Sequence, residues 1–409
     1  MLTYNMVQNN GKKTEFLYES IKKDILAGVL KAGEKLPSKR SLADHLGISV
    51  ITVENAYAML EEEGYVESRP RSGFYVCTIS FPVGKMPLYS LSDVKHTGKA
   101  NPGNEAGSVI SMADETPADR NIPAAPDEEE VGSGISSPGE LPKGMIKIMR
   151  RILNEKPEIL LERPPHTGCR ALRNAIADYL RRYRGMRVQP SNIIVGSGAE
   201  YLYGILVQLF GRDRVFGIEY PSYQKIEQVY VSNGASVEHL KMAADGIDSG
   251  ALQASKADIL HVSPYHSYPT GITASAAKRY EYILWAGAHD GYLIEDDFDS
   301  EFAYLRKPIE PIFSMEAAMN GGNKPNRPGG EGRVIYMNTF SKSIASSIRV
   351  AYLVLPDELR RRYEKVLGFY SCTVPVFDQY VLAEYIESGA FERHLNRIRR
   401  RINEIYGKN

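Results

Sequence analysis

The feature that most constrains the fold is an alternation of short apolar runs and longer amphipathic segments from about residue 146 onward. The runs with the length and apolar content of buried strands are Asn192–Gly196, Val215–Glu219, Ile259–Val262, Tyr292–Asp296, Arg333–Asn338 and Val350–Leu355. Helical patterns such as Ala199–Phe210 and Ala274–Ala288 lie between most of them. This alternation predicts an α/β region with a mostly parallel sheet covered by helices on both faces. A ligand site is expected at the carboxyl ends of the strands.

Residues 14–76 carry a different pattern of short helices followed by a hairpin. Apolar residues recur at a spacing of four in a first helix, and Ser38 and Ser49 are placed to cap a second and a third. Gly47 separates the second helix from the third, which predicts a helix-turn-helix. The segment YVESRPRSGFYV then contains two β-prone stretches around a turn. Together these elements predict a winged helix-turn-helix of the α+β class.

The stretch between these regions is rich in Pro, Gly and Ser and contains an acidic run at Asp127–Glu130. It has no sustained period of 3.6 or 2, which is typical of a linker. We therefore expect a winged helix over residues 1–77, a linker with an irregular lead-in over 78–144, and the α/β domain over 145–409.

Composition excludes several classes of protein. Lys and Arg together number 50, as do Asp and Glu, so the net charge of the whole chain indicates neither a nucleic-acid nor a membrane partner. The chain has no apolar run of about 18 residues and no leader-like start, so we expect no transmembrane helix and a location in the cytoplasm. Three widely spaced cysteines, Cys77, Cys169 and Cys372, predict neither a disulfide framework nor a metal site.

The predicted winged helix has candidate DNA contacts on three elements. Lys39 and Arg40 open the second helix, where phosphates are expected, while Arg69 and Arg71 lie on the wing. The third helix would present its first turns to base edges in the major groove, through Ser49, Thr52 and Asn55. Residues 1–76 contain as many acidic as basic residues, so strong non-specific binding is not expected. A vestigial or protein-binding winged helix therefore stays open as an alternative.

The segment EKLPSKRSLADHLGISVITVENAYAMLEEEGYVESRPRSGFYV closely resembles the winged helix of the GntR family of bacterial transcription regulators. The resemblance implies DNA contacts from Arg40, from Thr52 and its neighbours, and from Arg71 with Gly73. Val50 and Ile51 stand where that family usually carries polar or basic residues, so the resemblance implies altered base reading.

Three features of the second region fit one cofactor when they are taken together. Ser197–Ala199 lie between a strand and a helix, where free backbone N–H groups suit a phosphate. Asp296 and Asp297 end one strand, and Lys342 follows another, close to Thr339, Ser341 and Arg349. Pyridoxal phosphate needs a lysine for covalent attachment, an acid opposite its pyridine nitrogen and an anion site for its phosphate. Taken singly, each feature is weak and fits an ordinary turn or a surface side chain better.

These segments resemble the MocR subfamily, GntR regulators that carry a fold-type I, aminotransferase-like pyridoxal-phosphate domain after the winged helix. The resemblance runs from about Gly168 to Arg401. It implies that Lys342 is the Schiff-base lysine and that Asp296 is the partner of the pyridine nitrogen. It also implies that Tyr223 stacks on the ring, and that the phosphate is held by Arg349, Thr339, Ser341 and the backbone of Gly198 and Ala199. A homodimer acting on paired half-sites is implied as well.

Some residues depart from the pattern of that subfamily. Phe298 stands where a tyrosine is usual after the paired aspartates, and Ser267 replaces a glutamine in the loop His266–Gly271. The sequence ends at INEIYGKN, whereas the subfamily continues into a small lobe that supplies an arginine for a substrate carboxylate. We therefore expect a C-terminally truncated domain and assign no residue to that role.

Three functions remain open from the sequence. The leading hypothesis is a regulator that binds a double-stranded DNA operator and senses pyridoxal phosphate, with or without an amine or amino-acid effector. The alternatives are a working aminotransferase with a secondary winged helix, and a DNA-binding regulator with a degenerate effector domain. Phe298 and the expected lack of the lobe argue against efficient turnover.

Overall fold

The computed structural model describes residues 2, 4, 13–78, 141–142, 144–302, 309–319 and 332–406. Most of the predicted linker, 78–144, lies outside the described residues, as do the interior of the predicted loop 319–332 and the last three residues.

Residues 13–78 form the predicted winged helix. Its elements are α1 (Lys13–Leu26), α2 (Lys39–Leu46), α3 (Val50–Glu62), β1 (Val66–Arg69) and β2 (Gly73–Val76). The Ser38 side chain accepts a hydrogen bond from the Ser41 N–H at the start of α2, and Gly47 ends that helix with a φ of 63°. β1 and β2 pair antiparallel, with Val66 opposite Val76. The predictions of a helix-turn-helix and a wing are therefore confirmed.

The remaining strands form one eight-stranded sheet in the order β3-β10-β9-β8-β7-β4-β5-β6. The pairs within β9-β8-β7-β4-β5 are parallel, whereas β10 runs antiparallel to both neighbours and β6 is antiparallel to β5. The strands are β3 (Ile193–Gly196), β4 (Val215–Tyr220), β5 (Ser236–Ala243), β6 (Gly246–Ile247), β7 (Ile259–Val262), β8 (Tyr292–Asp296), β9 (Val334–Thr339) and β10 (Ala351–Val354).

Helices cover both faces of this sheet, as predicted. On β10, Tyr352 and Val354 pack into one hydrophobic core, and Ala351 and Leu353 into another on the opposite face. The helices are α4 (Met145–Glu155), α5 (Arg170–Tyr179), α6 (Ala199–Phe210), α7 (Gln224–Ser232), α8 (Ser249–Ala254), α9 (Ala276–Ala288), α10 (Ile312–Met319), α11 (Phe340–Ser343), α12 (Asp357–Leu367), α13 (Val376–Glu387) and α14 (Ala390–Tyr406). None of the helices in the described part of the chain is long and apolar enough to cross a membrane.

The topology brings five strand ends to one edge of the sheet. Strands β4, β7, β8 and β9 are parallel, and β3 has the same direction because β10 is antiparallel to both β3 and β9. Residues that follow these strands therefore lie along a common edge, and residues just before β10 join them there.

The winged helix packs directly on the start of α9. The backbone N–H of Ala276 donates to the carbonyl of Glu63, 2.8 Å away, and the buried Arg279 guanidinium lies 3.4 Å from the Glu63 carboxylate. Lys22 of α1 forms an ion pair with Glu310. Ala276 belongs to the hydrophobic core of the winged helix, so the two regions share a core residue as well as ion pairs.

Candidate functional site: a cofactor pocket at the sheet edge and a DNA-reading helix

Lys342 lies in the short helix α11, directly after β9. Thr339 begins that helix, and its side chain accepts a hydrogen bond from the Ser341 N–H. The Lys342 ammonium is 2.8 Å from Asp299 Oδ1 and 4.8 Å from the centre of the Phe298 ring. A carboxylate and an aromatic face both favour a cation, so the segment that follows β8 holds this lysine in place.

Asp296 ends β8 and is buried among side chains from two other elements. Tyr203 of α6 donates a hydrogen bond of 2.6 Å to Asp296 Oδ2, and His261 Nε2 of β7 is 3.4 Å from the same oxygen. Burial and the neighbouring Asp296 carboxylate raise the pKa of Tyr203 far above its ordinary value, which keeps the phenol a donor. The other ring nitrogen of His261 is 2.7 Å from the Tyr230 hydroxyl. The carboxylate is therefore fixed from two sides.

Asp297 serves a different site although it is the next residue. Its carboxylate forms a buried ion pair of 2.6 Å with Arg184 and accepts hydrogen bonds from the hydroxyls of Tyr336 and Ser300. Because successive residues of an extended chain point to opposite sides, only one of the paired aspartates faces Tyr203 and His261. Asp297 has the partners of a buried structural carboxylate.

The candidate anion site is the start of α6. Gly198 precedes this helix with a φ of 103° and no side-chain cap, and Ala199 is its first residue. A Cβ at Gly198 would lie 2.9 Å from Arg349 Nη2, so this backbone approaches the guanidinium more closely than a side chain would allow. Arg349 also forms an ion pair with Glu200 in the first turn. The backbone N–H groups and Arg349 are donors that suit a phosphate.

The loop after β7 closes the arrangement. His266 Nδ1 is 3.2 Å from Asp299 Oδ2, and the Tyr268 ring meets Tyr223 edge to face with centroids 6.1 Å apart. Burial opposes ionisation of Asp299, but the hydrogen bond with His266 and the charge of Lys342 outweigh it and lower the pKa of Asp299. Lys342, Asp296 and Arg349 therefore lie along the expected sheet edge, each held by contacts of its own.

Ser267, which stands where the subfamily usually has a glutamine, binds a buried carboxylate. Its hydroxyl donates to the buried carboxylate of Glu219, the residue before the last of β4, over 2.5 Å. Burial raises the pKa of Glu219 to about 7, although hydrogen bonds from Ser267 and from the Ser263 backbone oppose the shift. This replacement therefore belongs to a buried hydrogen-bonded pair.

Sequence reasoning missed several residues around this pocket. Tyr203, His261 and Asp299 contact the predicted residues Asp296 and Lys342, but each stands in an apolar run or beside a stronger motif. A signal existed for Tyr203, because it lies one helical turn after Ala199. No comparable signal marks His261.

The candidate DNA contacts lie on α2, α3 and the wing, as expected from the sequence. Lys39 forms a 2.7 Å ion pair with Glu54 of α3, and Arg69 pairs with Glu67 on β1. Ser49 caps α3 by accepting from the Thr52 N–H, and the two hydroxyls are 2.8 Å apart. The exposed positions in this set are Arg40, Ser49, Asn55, Arg69 and Arg71, and Gly73 opens β2 next to the wing turn.

Two family descriptions match the chain. "Bacterial regulatory proteins, gntR family" covers residues 13–76, and "Aminotransferase class I and II" covers residues 138–406. The first match coincides with the winged helix and the second with the sheet and its helices.

Relatives with both parts span nearly the whole chain. The HTH-type transcriptional regulator YdeL of Bacillus subtilis is 30% identical, and the match covers 94% of this chain and 75% of YdeL. The probable rhizopine catabolism regulatory protein MocR of Rhizobium meliloti is 31% identical, with 94% and 73% covered. The HTH-type pyridoxine biosynthesis transcriptional regulator PdxR of Corynebacterium glutamicum is 29% identical, with 94% and 75% covered.

Solved structures of aminotransferases share the second fold. The kynurenine aminotransferase of Pyrococcus horikoshii superposes with a TM-score of 0.54 at 22% identity, over 68% of this chain and 70% of that one. An archaeal alanine:glyoxylate aminotransferase gives 0.53 at 22% identity, over 65% and 68%. The winged helix, the aminotransferase fold and the full-length relatives together show that the chain belongs to the MocR subfamily of GntR-type HTH transcriptional regulators.

Proposed function

We propose that this regulator binds operator DNA through residues 1–77, and that its domain at 145–409 binds pyridoxal phosphate through Lys342 and responds to it or to an amine. The predicted linker, 78–144, would join the two parts. The observation that carries the proposal is the convergence of Lys342, Asp296 and the Arg349–Gly198 cradle at one sheet edge, in a chain that also has a gntR-type winged helix.

The residues of the pocket fit the cofactor. Gly198 leaves room where a side chain would meet Arg349. The buried His261 Nε2, 3.4 Å from Asp296, has no hydrogen-bond partner within the described part of the chain. Asp296 would hold the pyridine nitrogen, and Tyr223 would lie against the ring. Arg349, Thr339, Ser341 and the backbone of Gly198 and Ala199 would hold the phosphate. Pyridoxal phosphate, when bound, supplies an aldehyde that reacts with amines and a ring that accepts electrons.

The chain's own side chains set the orientation of that site. Tyr203 keeps the Asp296 carboxylate in place, and Asp299 and the Phe298 ring hold the Lys342 side chain. Arg349 would leave Glu200 and bind the phosphate instead. Both partners are anions, and the same N–H donors of the guanidinium bind one of them at a time.

The relatives support the regulatory role. PdxR is named for pyridoxine biosynthesis. The P. horikoshii aminotransferase structure is described in complex with PMP, a phosphate compound related to pyridoxal phosphate. We infer that sensing is the role of the pocket and that turnover is secondary. Phe298 offers the ring face to Lys342 but has no hydroxyl to donate to the cofactor. Single-turnover spectra with amino acids would reveal any half-reaction.

The DNA-binding part is proposed to act in a homodimer, in the cytoplasm. Two winged helices would read paired half-sites, with Arg40 and Arg71 on phosphates and the start of α3 in the major groove. Lys39 and Arg69 would reach phosphates after leaving Glu54 and Glu67, which are half-exposed partners.

The test of the cofactor site is the visible absorption spectrum after addition of pyridoxal phosphate. We expect a visible band of the lysine-bound cofactor, distinct from the spectrum of free pyridoxal phosphate, in the parent protein and in Lys365→Ala, which changes an exposed lysine of α12. Lys342→Ala should show only the spectrum of the free cofactor. A band of equal strength in Lys342→Ala, or none in the parent, would overturn the proposed attachment.

A further inference from the structure

The recognition helix begins with two exposed aliphatic side chains. Val50 and Ile51, the first residues of α3, are 40% and 67% exposed, whereas Val53 and Ala56 of the same helix are fully buried. Their side chains therefore do not belong to the core of the winged helix. They lie where a helix-turn-helix meets base edges.

The polar side chains at this helix start are already engaged with the protein. Ser49 Oγ accepts from the Thr52 N–H over 3.1 Å, and the two hydroxyls are 2.8 Å apart. Glu54, one turn along, pairs with Lys39. Reading bases with Ser49 or Thr52 would disturb the cap of α3, whose loss costs about 1 kcal/mol. Val50 and Ile51 are free to meet a partner without the loss of a hydrogen bond.

We propose that Val50 and Ile51 recognise thymine through its 5-methyl group in the major groove. The inference rests on the proposed DNA binding and adds the base that is read. Thymine is the base with a methyl group at that edge, and apolar side chains pack against it. Arg40 on α2 precedes α3 in the chain, Arg71 on the wing follows it, and both side chains are exposed. Their positive charges would bind the phosphates on either side of the bases that are read.

The size of the effect follows from burial of one methyl group. Removing a buried methyl from an apolar contact costs about 0.8 kcal/mol, which is about a fourfold loss of affinity. A thymine read in each half-site of a dimer would give about a sixteenfold loss when both methyl groups are removed, if the sites are independent.

The experiment uses the full chain and a synthetic duplex library with about 30 randomised base pairs, long enough for two half-sites one helical turn apart. A duplex enriched by the protein is then remade with single thymine to deoxyuridine changes, each of which deletes one methyl group. We expect about a fourfold loss at the thymines that face α3 and no change at flanking thymines. The Val50→Ser/Ile51→Ser variant should bind more weakly and lose this sensitivity.

Val29→Ser is the matched control, because Val29 is 65% exposed in the same domain and lies outside α3. It should keep both the affinity and the deoxyuridine sensitivity of the parent. An enriched duplex whose binding is indifferent to deoxyuridine at every thymine would overturn the inference and leave DNA binding intact. If no duplex were enriched, the proposed DNA binding itself would fail, and the inference with it.

Discussion

At the scale of single residues, the pocket is shaped by ion pairs that a ligand must displace. Arg349 pairs with Glu200, and Lys225 lies 3.9 Å from the same carboxylate. Glu200 therefore competes with any phosphate for these cations and repels it. Glu200→Gln should tighten binding of pyridoxal phosphate by up to about fivefold, the value of an exposed ion pair.

Titration of the Lys342 band with pyridoxal phosphate measures this effect. Glu227→Gln is the control, because Glu227 pairs with His239 at the surface and is not one of the predicted site residues. Weaker binding in Glu200→Gln would contradict the assignment of this helix start as the phosphate site.

Glu219 should make stability depend on pH. Its pKa is raised from 4.5 to about 7 in the fold, so the folded protein binds more protons than the unfolded chain between these values. The contribution of this group is present below pH 4.5 and is lost as the pH rises toward 7. In the parent, this group should lower the free energy of unfolding by up to about 1.4 kcal/mol for each pH unit in that range, and Glu219→Gln should lack this contribution.

Urea unfolding followed by the emission of Trp285, the one tryptophan of the chain, measures this slope. Glu227→Gln, at an exposed carboxyl, should leave the slope as it is. A decline as steep in Glu219→Gln as in the parent would show that the carboxyl is ionised in the fold.

From the sequence we predicted the residues that stand in a recognisable motif, such as Lys342 and Asp296. We did not predict the side chains that contact them, such as Asp299 and His261. Lys342 and Asp296 stand after strands in recognisable segments, and the structure places them on the expected edge. Asp299 and His261 were missed because their roles depend on partners 43 and 35 residues away, the separations of Lys342 from Asp299 and of Asp296 from His261. Apolar periodicity carries no information about such pairs.

At the scale of elements, apolar runs in the sequence predicted six of the eight strands of the sheet. They did not predict β5 and β6, which lie at one end of the strand order. The predicted strands match β3, β4, β7, β8, β9 and β10 to within a residue or two. Strand β5 was missed because four of the eight residues of SVEHLKMA are polar and Leu240 alone is buried, and β6 was missed because it has two residues. The helix predicted to begin at Ala274 begins at Ala276, after Ser275 has capped it.

The start of α6 provides a prediction for an element. Gly198 has a φ of 103°, and a Cβ there would lie 2.9 Å from Arg349 Nη2. Gly198→Ala should therefore destabilise the fold by about 1 kcal/mol or more and weaken cofactor binding by displacing Arg349. Thermal unfolding and the cofactor titration measure the two effects.

Gly287→Ala is the matched control for this change. Gly287 lies inside α9 with open space around it, so alanine should stabilise that helix by about 0.5–1 kcal/mol. Equal effects of the two substitutions would show that Gly198 has no special place at the helix start.

At the scale of the whole molecule, a buried ion pair connects the two parts. Arg279 of α9 is 0% exposed and pairs with Glu63 at the end of α3, 216 residues away in sequence. The same helix follows the loop His266–Gly271 that contacts Asp299. The loop that contacts Asp299 and the helix that contacts the end of α3 are therefore neighbours in the chain, a connection that sequence patterns did not predict.

Arg279→Ala should loosen this connection. It leaves the Glu63 carboxylate buried without its guanidinium, which costs about 3 kcal/mol. Hydrogen exchange of amides in α1–α3 should accelerate in this variant. Arg214→Ala, which breaks a half-exposed pair with Asp258, should cost under about 1 kcal/mol and leave that exchange unchanged. Equal exchange in Arg279→Ala and the parent would show that this ion pair does not restrain the winged helix.

The most direct test of the regulatory account is the affinity for an enriched DNA duplex with and without pyridoxal phosphate. The account predicts a change of at least about fivefold in the parent, the lower end of typical coupling between sites, and no change in Lys342→Ala. An unchanged affinity in a parent protein that shows the Lys342-dependent absorption band would contradict it, because cofactor and DNA would then bind without affecting one another.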